Sequence, residues 1–161
     1  MCSDPVFSGS TATRFAAVVA QPSPSNATPS LVLDTNIVLD LFVFQDPSTP
    51  ALQAAMVKGQ LQWIATAPMR DELQRVLTYP QLVKSMHHHC ILPDQVLAAF
   101  DAQAYIVPVA PKASVTCKDP DDQKFIDLAV THRASLLSKD KAVLCMKKRL
   151  LALDAIVLSA I

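Results

Sequence analysis

Two aspartates stand where a parallel sheet collects its ligands. Asp34 closes the apolar run LVL and is followed at once by the helical pattern of TNIVLDLF, and Asp140 follows the apolar run of ASLLS with Lys139 between. In an open parallel sheet, bound molecules gather outside the carboxyl ends of the strands, so an acid placed there is open to chemistry that an acid elsewhere is not. If the two strands are neighbours, their carboxylates share one cleft.

Two helices add acids near their N-termini, the ends that face the same cleft. On a wheel at about 100° per residue, Phe125, Ile126, Leu128 and Ala129 form the arc that must meet the core, and Asp122 falls inside it. Gln123, Lys124, Asp127 and Thr131 fill the opposite, solvated face. Asp122 is then either a cleft acid or a capping acid favoured by the helix dipole. Asp119 precedes Pro120 as an N-cap precedes the first helical position. Glu72 borders the stripe of Met69, Leu73 and Val76, where it either reaches the cleft or pairs with Arg70 or Arg75 on the surface. Acids gathered in a dry cleft repel one another unless a cation joins them. Oxygen-only ligands select hard ions, Mg²⁺ or Mn²⁺. Such ions polarise phosphates and acidify bound water, which is phosphoryl-transfer chemistry.

The elements that must hold these acids alternate. Strands are predicted at 31–34, 61–66, 105–109, 134–138 and 155–159, with Pro108 confining the third to an edge or a strand end. Helices are predicted at 36–44, 51–58, from Pro68 to before Pro80, at 81–90, at 93–104, after Asp119 through Arg133, and at 141–150. This alternation implies crossover connections and an α/β fold, a three-layer α/β/α sandwich around a central parallel sheet of four to five strands. Residues 1–30, rich in Ser, Thr, Pro and Ala, read as a flexible leader, and residues 31–161 as one domain. The run FAAVVA within the leader is short for a secretory signal core.

Composition narrows the class further. The 14 basic and 14 acidic residues cancel, so any nucleic-acid contact must come from a local patch. Four scattered cysteines without a CxxC pair suit the reduced thiols of a cytoplasmic protein, and no apolar run is long enough to span a bilayer. Gly9 and Gly59 are the only glycines, which excludes the Gly-rich phosphate loops of Rossmann and P-loop enzymes.

Four blocks, LVLDTNIVL, DEL followed by RVL, DPDDQKFIDLA and SLLSKDKAVL, stand in this order from Leu31 onward. In their order and spacing the chain resembles the PIN-domain family of metal-dependent ribonucleases, in particular its bacterial toxin-like branch. The resemblance implies that Asp34, Glu72, Asp122 and Asp140 are the catalytic, metal-binding acids, with Asp122 seven residues ahead of Ala129. It implies that Asn36 hydrogen-bonds within the acidic cluster and that Ser138 fills the place of a Thr or Ser before the fourth acid. Asp121 is expected as an extra ligand through water, and Lys139 replaces the small residue usual in its place. The implied reaction is endonucleolytic hydrolysis of RNA with one or two Mg²⁺ or Mn²⁺ ions, leaving a 5′-phosphate and a 3′-hydroxyl. The implied partners are an antitoxin that plugs the site and a second copy of the chain. Two other readings compete. One is a catalytically idle PIN-like domain serving as an RNA- or protein-binding regulatory module, and the other a metal-dependent phosphatase with Asp34 as nucleophile, which wants an acid where Asn36 stands.

Lys139, Lys141, Lys147, Lys148 and Arg149 form a basic stretch suited to an RNA backbone, or else a solvated helix face. His87, His88 and His89 point in different directions around a helix and read as an exposed helix end rather than a metal site. Trp63, Cys145 and Met146 read as core.

Overall fold

Leu31, Val32 and Leu33 are apolar without alternation because β1 (Ser30–Leu33) is covered on both faces. In the computed structural model, which describes residues 28–161, β1 lies at the centre of a five-stranded sheet, and the FAAVVA run lies outside the described residues. β2 (Gln62–Ala65) pairs with it on one side and β4 (Ser135–Leu137) on the other. β3 (Tyr105–Ile106) and β5 (Ile156–Leu158) form the two edges, giving the order β3-β2-β1-β4-β5 with every pair parallel. The strand expected over 105–109 is only two residues long. Its ladder ends where the Val107 N–H donates to the Ala65 carbonyl (2.8 Å), because the next residue, Pro108, has no N–H to offer.

Helices flank the sheet. α1 (Thr35–Leu39) starts directly after β1 and passes into a π-helical turn at Asp40–Phe44, so the helix expected over 36–44 changes character half-way. α2 (Pro50–Val57), α3 (Ala67–Val76), α4 (Pro80–His88) and α5 (Pro93–Gln103) each carry a proline in the first turn, where its missing N–H is no loss. A 3₁₀ turn, Pro120–Asp122, leads into α6 (Gln123–His132). The helix expected over 141–150 divides into α7 (Lys141–Leu144) and α8 (Lys147–Leu151). That break separates two residues expected to share the core: Met146 is buried and Cys145 is exposed.

Right-handed crossovers decide which face each helix takes. The steps from β1 to β2 to β3 run toward one edge, and those from β3 to β4 to β5 run back toward the other, so the two sets of helices fall on opposite faces. Contacts divide the same way, with α3 against α1 and α5, α6 against β1 and β4, and α7 and α8 against β5. Phe125, Ile126, Leu128 and Ala129 are all buried, as the wheel requires. Trp63 packs edge-on against Phe100 with ring centres 5.0 Å apart, and its other neighbour is Phe42 at 6.1 Å. No helix among the described residues is long and apolar enough to cross a membrane.

Leu136 sits fully buried in a strand next to the centre of the sheet. Leu136→Ala is expected to lower stability by about 2–5 kcal/mol, measured as a lower urea midpoint with an unchanged slope.

Candidate metal centre

The chain leaves β1 for β2 on one side and later returns to β4 on the other, so the strand order reverses between β1 and β4. The carboxyl ends of those two strands carry Asp34 and Ser138. The Asp34 N–H donates to the Leu137 carbonyl (3.0 Å), extending the ladder by one residue, and the Ser138 N–H donates to the Leu158 carbonyl (2.9 Å). Ser138 is completely buried. Its hydroxyl donates to Asp34 Oδ2 (2.7 Å) and accepts from the Asp140 N–H (3.0 Å), so one oxygen fixes two of the expected acids. Asp140 in turn caps α7, its Oδ1 accepting from the Ala142 N–H (2.8 Å).

The third acid arrives on the 3₁₀ turn. The turn is one three-residue repeat long, so it returns Asp122 to the neighbourhood of its N-cap, Asp119. One carboxylate oxygen from each of Asp119, Asp122 and Asp140 lies within 4.8 Å of the others, a group able to hold a metal ion. The acid beside Asp122 is therefore Asp119. Asp121, expected as the extra ligand, is exposed and outside the group, because a 3₁₀ turn aims its middle residue away. Asp119 also caps the turn, accepting from the Asp121 N–H (3.0 Å).

Residues of α6 expected to face solvent hold this turn in place. Gln123 accepts from the Cys117 N–H (2.6 Å) and donates to the Val115 carbonyl (3.0 Å) and to Asp127 Oδ1 (2.7 Å). Asp127 accepts in addition from the Ala113 N–H (2.9 Å). The loop before Asp119 thus lies over the helix face that the wheel leaves open.

Glu72 approaches from the other helical layer and is held at both oxygens. Thr35 Oγ1 donates to its Oε2 (2.7 Å), and the Lys124 ammonium pairs with its Oε1. Its carboxylate is not in the group formed by Asp119, Asp122 and Asp140. Asn36, expected to bind within the cluster through its side chain, is exposed, and what it brings near the Asp34 carboxyl is its backbone N–H. The residue before it, buried Thr35, takes the side-chain role. The Lys139 ammonium, expected on an RNA path, faces Asp40 (2.9 Å) and Asp46 (3.3 Å). The three consecutive histidines are exposed, and none belongs to a metal-capable group among the described residues.

A family model described as PIN domain matches residues 30–142, which include every acid just placed. The chain belongs to the PIN-domain family. Its fold resembles a chain in the crystal structure of VapBC2 from Rickettsia felis bound to a DNA fragment from their promoter. The two are 14% identical with a TM-score of 0.56, over 80% of this chain and 97% of that one, which is a likeness of fold. Among curated proteins none matches.

The electrostatics of this PIN domain fit an ion. Asp122 is 7% exposed, and its Oδ2 has no hydrogen-bond partner. Burial first, and then the charges of Asp34, Asp140 and Asp119, push its carboxyl up to about 7. Asp34, 3% exposed, is raised by burial above all, while the Ser138 hydroxyl and then the nearby Asn36 backbone N–H oppose the shift and the charges of Asp140 and Glu72 add to it. An orphaned buried oxygen beside two more carboxylates is what a hard divalent cation satisfies.

One consequence is a falling stability as pH rises without metal. The unfolded chain releases the Asp122 proton near 3.8 and the folded chain near 7, so the stability held below the first value is lost on passing through the second. Melting in a chelator is expected to shift downward between these values, with Mn²⁺ or Asp122→Asn flattening the slope. A melting temperature that climbs across this window contradicts the assignment.

Proposed function

We propose that the chain is a metal-dependent endoribonuclease, with residues 31–161 as its catalytic domain. The observation that carries this reading is the meeting of Asp34, Asp119, Asp122 and Asp140 at the point where the strand order reverses. Asp119, Asp122 and Asp140 would hold the ion, Mg²⁺ or Mn²⁺, with Asp34 beside them. When bound, such an ion polarises the phosphate and makes a nearby water acidic. Asp34 takes the proton of the attacking water, a task suited to a buried carboxyl whose proton affinity is raised. Ser138 keeps that carboxylate oriented, and Thr35 does the same for Glu72. Hydrolysis in this sense leaves a 5′-phosphate and a 3′-hydroxyl.

Lys141, Lys147, Lys148 and Arg149 are exposed, and among the described residues none is paired with a carboxylate. They support a path for the RNA backbone along α7 and α8, next to Asp140. The resemblance to the toxin-like branch supports an antitoxin partner that covers the cleft, and a homodimer. The free thiols of Cys90, Cys117 and Cys145 support a cytoplasmic setting.

The test is cleavage of a mixed RNA pool with Mn²⁺ or Mg²⁺. Wild type is expected to cut, and Asp34→Asn and Asp122→Asn to lose about a hundredfold or more. Inactivity of the wild type at every metal concentration, or equal cutting by both variants, refutes the reading. Changing Lys147 and Lys148 together to Gln is expected to raise KM and to reduce the slope of log affinity against log salt by about 1.4, the share of two single-strand phosphate contacts.

A further inference from the structure

The Glu72 and Lys124 pair joins the two helical layers over the strand ends, and both Glu72 oxygens are partnered. Thr35 holds one and the Lys124 ammonium the other. That ammonium also donates to the Asp121 carbonyl (2.5 Å) and lies 4.9 Å from the centre of the Phe125 ring. The pair is partly shielded, with 16% of the Glu72 side chain and 28% of the Lys124 side chain exposed, so bulk salt screens it only in part. Asp119, Asp122 and Asp140 meanwhile converge on the unpartnered, nine-tenths buried Oδ2 of Asp122 without help from Glu72.

We propose that Lys124 takes the place of a second cation at this centre: it keeps Glu72 as an ion pair outside the Asp119, Asp122 and Asp140 set, so that the chain binds one divalent ion and binds it without Glu72. The inference rests on the metal-centre reading above and narrows it. An ion bound through Glu72 competes with an ammonium for one shielded carboxylate and is repelled by its charge. Because the same ammonium holds the Asp121 carbonyl, it also ties Glu72 to the turn that carries Asp119 and Asp122. Lys124 is thus a positioning residue, acting through Glu72 and the turn.

Counting bound Mn²⁺ tests this without any reference to cleavage. The loss of the free-ion EPR signal, titrated on the full chain at mildly alkaline pH, gives stoichiometry and affinity. Wild type is expected to bind one ion. Glu72→Gln is expected to bind one with affinity changed by no more than about threefold, and Lys124→Met, which frees Glu72, to bind two. Two ions on wild type, one ion on Lys124→Met, or a loss of about tenfold or more in Glu72→Gln overturns the role of Lys124 while leaving the metal centre intact. No binding by wild type at millimolar Mn²⁺ removes the metal centre itself, and this inference with it. If Lys124→Met fails to fold, Glu72→Gln alone decides.

Discussion

Mutual repulsion among carboxylates is the constraint on which the rest of this structure depends. Asp34, Glu72, Asp119, Asp122 and Asp140 are drawn toward one end of a sheet whose interior is apolar on both faces. Three of them are met by different devices. Asp34 receives the Ser138 hydroxyl, Glu72 a hydroxyl and an ammonium, and Asp140 the first turn of α7. Asp122 receives none of these for its inner oxygen, and the imbalance gathers there. A hydrogen-bonded carboxylate is tolerable in a dry cleft, whereas an unpartnered one either keeps its proton or finds a cation.

The supports of the site come from unlike parts of the chain. The strands set the distance between Asp34 and Ser138 by register alone, since Leu33 and Leu137 are ladder partners and the next residue of each strand carries the polar group. The 3₁₀ turn brings Asp122 back beside its own N-cap, Asp119. Gln123 and Asp127 secure the loop leading into that turn by hydrogen bonds to its backbone. A second ring of polar contacts ties Lys139 to Asp40 and Asp46, which fastens the end of β4 to the π-helical turn after α1.

Much of this is legible in the sequence, and what is not has physical reasons. Five parallel strands follow from short apolar runs alternating with helices, and Asp34 and Asp140 stand out because each directly follows such a run. Asp122 is found because an acid inside an apolar arc needs a reason to be there. Asp119 is missed because its capping role already explains it, and a residue with one sufficient explanation hides a second. Thr35 is passed over for Asn36 because side-chain direction at the start of a helix depends on a backbone geometry that spacing does not reveal. Lys124 is misplaced because a wheel treats every residue opposite the core as solvated, whereas a long flexible side chain near a helix end can turn back toward a buried charge. The division of 141–150 into two helices and the shortness of β3 depend on tertiary contacts and carry only weak local signals.

The hydrogen bond between Ser138 and Asp34 closes a separation of 104 residues. The ion group likewise needs Asp140, and β4 completes its pairing only with β5 beside it. Along a chain made from its N-terminus, the first acid is therefore synthesised long before the hydroxyl that orients it. The cleft comes into being only when the chain through β5 is available to fold, so a chain that stops short of β4 carries the earlier acids without the site. A PIN domain built in this order holds its acids on separate segments until β4 and β5 have joined the sheet.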